Sequence, residues 1–276
     1  MTFTFVEKYE DPISHQLWTN DYQPKNLDEI VGNEMIVETL KSYLKNDELP
    51  NLLFYGPNGC GKTTIVKILT EKYLKNYYKF CNLEIIGSIN RGKNVVTEKT
   101  DKKKTTDKSL DGPNIINFIR KTLDLPKNKC KIVTIYDFDC MTNEAQMALR
   151  RIIEIYSNKV RFIFICNDLN NVIEAIQSRT VPFKCASINT DQIKTRLKTI
   201  ANLNKIEIND DIYDAIAIMS NGNLKQAINY LQVFSQCTEK NIQNFYHLFN
   251  IPSIKTVHEL INSCLNKNGD QAFKIL

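Results

Sequence analysis

Nine consecutive residues, Gly56-Pro57-Asn58-Gly59-Cys60-Gly61-Lys62-Thr63-Thr64, carry the chemistry most directly readable from this chain. They fit the pattern G-x-x-x-x-G-K-[ST], whose glycines let the backbone curl so that successive amide N–H groups point at phosphate oxygens. Lys62 is placed to reach terminal phosphates, and the Thr63 hydroxyl to hold a Mg²⁺ ion. The stretch therefore predicts a nucleoside triphosphate site cradled by Gly56 to Thr64. Its flanks separate it from a glycine turn of no chemical meaning. Upstream, the apolar run Asn51 to Tyr55 predicts a buried strand; downstream, Ile65, Val66, Ile68, Leu69 and Leu74 recur at helical spacing.

Strand, loop and helix belong to a longer alternation that must position them. Leu83 to Ile86, Ile132 to Tyr136 and Arg161 to Cys166 also read as strands, with amphipathic segments between them, which predicts an α/β fold: a parallel sheet covered by helices, extending to about Ala186. A helix should open after Thr142, its N-cap, because Ala145, Leu149, Ile152, Ile153 and Tyr156 fall on one face. After Asn189 the strand signals stop. Helical patterns over residues 190–202, 210–220 and 223–234 predict a small helical domain. Residues 254–265 form one more helical pattern, and a second, from Asp270, is still running at Leu276.

Composition narrows the class. With 276 residues, 42% hydrophobic and 24% charged, the chain has the make-up of a soluble globular protein of one large domain or two to three small ones. No apolar run approaches the roughly 18 residues of a membrane span, and residues 1–11 carry acids and no long apolar region. An intracellular protein with no membrane partner is expected. The eight cysteines show no C-x-x-C pair and no histidine at zinc-ligand spacing, which predicts reduced thiols in a cytosolic or nuclear compartment. Cys60 reads as a small side chain tolerated in the loop, oxidation being the alternative. A net charge of +5 allows nucleic-acid contact without arguing for it. Residues 93–111, with Lys99, Lys102, Lys103, Lys104 and Lys108 among Thr and Asp, predict a surface loop, either a solvated insertion or a phosphate-contacting one.

Further stretches narrow the family. Leu17-Trp18-Thr19-Asn20-Asp21-Tyr22-Gln23-Pro24, continuing to Asp28-Glu29-Ile30-Val31-Gly32-Asn33, resembles the W-V-E-K-Y-R-P-x-x-L-x-D-I-V-G-N segment of replication factor C small subunits, the clamp-loader branch of the AAA+ ATPases. Met141 to Arg151 resembles the helix after the second nucleotide motif, Phe164 to Asn167 the sensor 1 strand end, Ile173 to Thr180 the arginine-finger stretch, and Asn221 to Asn229 the sensor 2 stretch. The resemblance implies an AAA+ sheet domain over residues 15–186, interrupted by the 93–111 loop and preceded by an extension over 1–14. It also implies a helical lid over 187–247 and, from 248–276, the start of an incomplete collar. ATP and Mg²⁺ are the implied cofactors. Thr19 and Val31 would border the adenine, Lys225 would meet the terminal phosphate, and Asn167 would orient a water or hold that phosphate. Arg179 would act in a neighbouring subunit's site, the alternative being a surface arginine in a salt bridge. The other subunits of a hetero-pentameric ring, a sliding clamp and primer-template DNA are the implied partners, in the nucleus of a eukaryote or in a viral replication compartment.

The chain departs from the family where hydrolysis is performed. The second motif normally ends in Asp-Glu, the Asp on the Mg²⁺ shell and the Glu activating water. Here the strand ends Ile135-Tyr136-Asp137-Phe138-Asp139. Ungapped from Met141, Tyr136 takes the Asp slot and Asp137 the Glu slot; shifted by one, Asp137 becomes the metal residue and Phe138 takes the Glu slot. The ungapped register is preferred, since a deletion there would rotate everything after it. Lys225 stands where sensor 2 has Arg, which removes a bidentate fork. Of the stretch resembling L-E-L-N-A-S-D-E-R-G, only Leu83, Glu84, Ser88, Arg91 and Gly92 remain. The expectation is an ATP-binding clamp-loader subunit with weak hydrolysis, the alternative a non-catalytic scaffold subunit of the same kind of complex.

Overall fold

A computed structural model describes residues 17–92, 96, 115–121, 129–237, 240–252, 254–266 and 269–275. The extension 1–14 and, apart from Val96, the lysine-rich segment 93–111 lie outside the described residues.

Five strands, β1 (Leu52–Tyr55), β2 (Asn82–Ile86), β3 (Lys131–Tyr136), β4 (Val160–Cys166) and β5 (Val181–Lys184), form one sheet in the order β2-β3-β4-β1-β5, with every pairing parallel. Alternate residues bury on opposite faces, which is why the strands read as continuous apolar runs. Leu53, Val133, Ile135, Phe162 and Phe164 meet the helix Asn143–Ile155 through Ala145, Leu149, Ile152 and Ile153. Leu52, Phe54, Ile132, Ile163 and Ile165 meet the helix Lys62–Leu74 through Ile65, Val66 and Leu69. Thr142 caps the first of these helices, its side chain accepting from the Ala145 N–H at 3.3 Å. The four strands expected from sequence are present within one residue at their first ends. β5 has no counterpart in the expectations. It is four residues long and only half-buried, and it contains Pro182, which lacks a ladder N–H and suits an edge strand.

Beyond β5 the helices Thr190–Leu203, Asp210–Met219, Leu224–Ser235 and Ile242–Leu248 gather a separate core that includes Ile193, Leu197, Ile216, Leu231, Phe234 and Phe245. Asn189 and Gln192 close a reciprocal capping box on the first of them. The helix Ile242–Leu248 was not expected; seven residues are too short for a clear period, and its Phe245 is recruited by Phe234 edge-to-face at 5.4 Å. Trp18, Tyr22 and Val31 also pack on this helical core, although they precede the sheet in sequence. The helices Ile254–Leu265 and Gly269–Ile275 pack against each other.

Candidate functional site

The glycine loop joins β1 to the helix Lys62–Leu74, so its amides sit at the carboxyl end of the sheet beside the strand ends of β3 and β4. Gly56 and Gly59 hold φ of 144° and 75°, and each is crowded as well as left-handed. A Cβ on Gly56 would lie 2.2 Å from the Cys185 carbonyl oxygen, and one on Gly59 would lie 1.8 Å from Asn223 Oδ1. The second contact shows the loop seated directly under the N-cap of the helix Leu224–Ser235, where Asn223 accepts from the Gln226 N–H at 3.1 Å. Gly59→Ala should therefore cost about 2 kcal/mol, combining a left-handed alanine with loss of that cap. Urea unfolding checks this; an unchanged midpoint would mean that helix and loop are not packed together.

Lys62 opens its helix and is 6% exposed. Its Nζ donates to the carbonyls of Gly56 (2.7 Å) and Pro57 (2.8 Å) and to Asn167 Oδ1 (3.0 Å). Loop and strand β4 thus converge on one cation. Cys60 and Cys185 are both buried, with their thiols within hydrogen-bonding reach of each other. That hydrogen bond draws Cys60 below the usual thiol range and pushes Cys185 above it. All eight cysteines are free thiols.

At the end of β3 the chain turns sharply, with Asp137 at φ 49°. Its carboxylate accepts from Ser88 Oγ at 2.9 Å, and β2 is pinned to the same turn by the Gly87 N–H on the Tyr136 carbonyl at 2.7 Å. Asp137 lines the cleft in front of the loop. Phe138 turns away into the core, 4.4 Å from the Phe164 ring, and offers nothing to a water. Tyr136 packs on the side of the helix Lys62–Leu74, where burial first and the nearby Glu84 charge second push its hydroxyl well above the usual range. Glu84 also accepts from Tyr78 Oη (2.8 Å) and Asn82 Nδ2 (2.9 Å), and burial pushes Tyr78 up to about 12.

Sequence reasoning missed several residues that hold these groups in place. Asp139 accepts from the backbone N–H groups of Asn167 (3.1 Å) and Asp168 (3.2 Å), fixing the end of β4 that presents Asn167. Gln146, fully buried, donates to the carbonyls of Met141 and Asn171 and accepts from the Ile173 N–H, tying its helix to the loop before Arg179. A lone glutamine between Ala145 and Leu149 was the available signal. Asn33, left-handed at φ 56°, donates to the Cys60 carbonyl at 3.3 Å and accepts from the Ala186 N–H at 2.9 Å. Its signal was the Gly-Asn turn dipeptide.

A cleft of about 640 Å³ unites these groups. Asn58, Gly59, Gly61, Lys62, Thr63 and Thr64 form one side, Asp137 and Asn167 the back, and Lys225 with Arg196 come from the helical domain. Thr19 and Val31 line it too, together with Ile30 and Ile188. Gly56, Pro57 and Cys60 stand behind the lining, the first two through their carbonyls on Lys62. Arg179 is not brought to this cleft. Its guanidinium meets Glu154 (2.5 Å) and the Ala175 carbonyl (2.9 Å), and it holds the Glu154 carboxyl below its usual range. With both partners partly exposed, that pair is weak and easily exchanged.

The donor set suits a triphosphate with its cation: a loop whose Gly56 and Gly59 leave no room for a Cβ, a buried amine, and the Thr63 hydroxyl and Asp137 carboxylate lining one cleft. Among the described residues no three His, Cys, Asp or Glu side chains gather as a metal-only site. No described helix is long and apolar enough to cross a membrane.

A five-stranded parallel sheet with a glycine loop after its first strand and a helical lid over that loop defines a P-loop protein of the AAA+ class. Residues 9–180 match the family described as Rad17 P-loop domain, and residues 195–235 that described as RCF1/5-like, AAA+ ATPase lid domain. The chain is 34% identical over 260 residues to the replication factor C small subunit of Staphylothermus marinus, covering 94% of this chain and 74% of that one. It is 34% identical over 262 residues to that of Picrophilus torridus, covering 94% and 77%. The chain belongs to the replication factor C small subunit family. Among solved structures, the RuvB Holliday junction branch migration motor of Thermotoga maritima is similar in fold, with TM-score 0.63 at 17% identity over 87% of this chain and 78% of that one.

Proposed function

We propose that this chain is an ATP-binding subunit of a clamp loader, which assembles with other subunits, engages a sliding clamp and acts at primer-template DNA during replication. ATP with Mg²⁺ is the ligand of the cleft. Lys62 and the loop amides hold its phosphates, Thr63 the cation, Asn167 and Lys225 the terminal phosphate, and Thr19 and Val31 the base. When bound, Mg²⁺ neutralises charge on the phosphates; the protein's part is to orient them and to hold a water. The division proposed is a sheet domain over 15–186, a lid over 187–247 and the start of a collar over 248–276.

The observation that carries the reading is an intact phosphate cradle beside a broken acidic pair. Asp137 occupies the cleft, but Tyr136 next to it is packed against the core of the helix Lys62–Leu74 and brings no carboxylate. ATP should bind tightly and turn over slowly, because a missing or misplaced general base costs roughly 10²- to 10⁴-fold. Arg179 lies outside its own cleft, held by a partly exposed ion pair with Glu154 and by local hydrogen bonds to its own turn, which suits a group offered to a neighbour. Turnover of the isolated chain typical of an intact AAA+ ATPase, abolished by Asp137→Ala, would sink the slow-hydrolysis reading. The same Tyr136 geometry supports a second reading, a scaffold subunit whose nucleotide is structural. Arg179→Ala in the complex purified with its partners separates the two: lowered ATPase supports the finger, unchanged ATPase the scaffold.

A further inference from the structure

The wall formed by residues 17–24 is fastened to the helical lid. Trp18 and Tyr22 meet edge-to-face at 6.1 Å and lie with Val31 against the lid core. The backbone N–H of Trp18 donates to Gln232 Oε1 at 3.0 Å, and the guanidinium of Arg196, on the helix Thr190–Leu203, donates to the Tyr22 carbonyl at 2.8 Å. Toward the phosphate loop the segment makes the longer bond from Gln23 Nε2 to Thr64 Oγ1, at 3.4 Å. Arg196 is half-buried and itself lines the cleft. The lining is chemically divided: Ile30, Val31, Ile188 and Ile228 suit a planar ring, whereas the glycine loop and Lys62 suit phosphates.

We propose that Arg196 is a positioning residue for the nucleobase wall. By gripping the Tyr22 carbonyl it holds Thr19 to Pro24 against the lid, so that the base wall is fastened to the lid while the loop that cradles the phosphates belongs to the sheet domain. A guanidinium is suited to this because its donors are rigidly placed and its charge does not titrate away. Its hydrogen bond to a main-chain carbonyl fixes the strap without adding a side chain that competes for the base. The inference rests on the cleft taking ATP, and it separates base recognition from phosphate recognition within that reading.

Trp18 is the sole tryptophan of the chain and sits in the strap, so its emission reports the strap directly. MgATP and inorganic tripolyphosphate are titrated into the full chain and into Arg196→Ala, Arg196→Lys and Gln232→Ala, with Trp18 emission recorded. Arg196→Ala should weaken ATP about tenfold, the scale of one lost charged hydrogen bond. It should leave tripolyphosphate within about twofold, since the loop and Lys62 are untouched, and should red-shift Trp18. Arg196→Lys, which still donates to the carbonyl, should recover most of the ATP affinity. Gln232→Ala, which cuts the strap's other tie, should reproduce the pattern more weakly even where Arg196→Ala folds poorly. Equal losses for ATP and tripolyphosphate would place the guanidinium on the phosphates and overturn the proposal, as would unchanged ATP affinity with unchanged Trp18 emission. A wild-type chain that binds tripolyphosphate but shows no preference for ATP also overturns it. A wild-type chain that binds neither instead removes the reading of the cleft on which it rests.

Discussion

Lys62→Ala should weaken MgATP binding by ~10²- to 10⁴-fold, since the amine can make two charged contacts to phosphate worth about 1.5–3 kcal/mol each. The amine is buried within the loop itself, its donors already aimed by Gly56, Pro57 and Asn167. Such preorganisation means that phosphate oxygens replace loop carbonyls without reordering a flexible side chain, and a charged acceptor forms the stronger bond. Stability should respond little. Removing a buried ammonium relieves its desolvation while leaving three acceptors less well satisfied, and the two nearly cancel. The melting temperature should stay within about 4 °C, the shift expected of roughly 1 kcal/mol in a chain of this size. Calorimetric titration with MgATP decides the matter. An affinity within about threefold of the wild type would show that the cleft does not hold phosphates through the loop.

How much of this was legible in the sequence depended on whether a residue's task was local. The loop, its strand and its helix are set by contiguous spacing, so Gly56 to Thr64 were readable residue by residue. The N-cap at Thr142 is likewise a property of four neighbouring positions. β5 was not legible, because an edge strand with a proline, half-buried and four residues long, leaves no periodic trace. The supports of the site were also invisible, for a different reason. Asp139 serves amides 28 and 29 residues away, Asn33 bridges the loop to Ala186, and Arg196 reaches back to Tyr22 across 174 residues. Each is a polar side chain satisfying distant backbone groups, and no local pattern encodes such a pairing. The strap tells the same story. Trp18 and Tyr22 stand out in the sequence, but which core they pack on required the fold.

The largest gain of function should come from rebuilding the acidic pair, and the structure shows why Tyr136→Asp with Asp137→Glu is not sufficient by itself. A carboxylate at position 136 would stand near Glu84, whose charge already helps raise the Tyr136 hydroxyl. Two adjacent carboxylates in a partly buried place do not both ionise readily, so the new carboxyl would be held protonated and unable to serve a cation. Glu84→Gln removes that repulsion while leaving an oxygen to accept from Tyr78 and Asn82, the bonds Glu84 now makes at 2.8 and 2.9 Å. Tyr136 is only half-buried, so its loss should cost toward the low end of the about 3–5 kcal/mol typical of large aromatic truncations in a core. The triple variant Glu84→Gln, Tyr136→Asp, Asp137→Glu should therefore remain folded at about 20 °C. It should convert bound ATP ~10²- to 10⁴-fold faster than the wild type, the range a positioned general base supplies. Single-turnover measurement with labelled ATP reads this in the isolated chain, where neither protein receives a neighbour's arginine and the ratio is unaffected by its absence. The double variant retaining Glu84 should gain much less near neutral pH. Its rate should climb as pH rises, because the carboxyl introduced at position 136 has a raised pKa and ionises only above it. A triple variant that binds MgATP as tightly as the wild type yet converts it no faster would show that the slow step lies elsewhere, and that Tyr136 is not what separates binding from hydrolysis in this subunit.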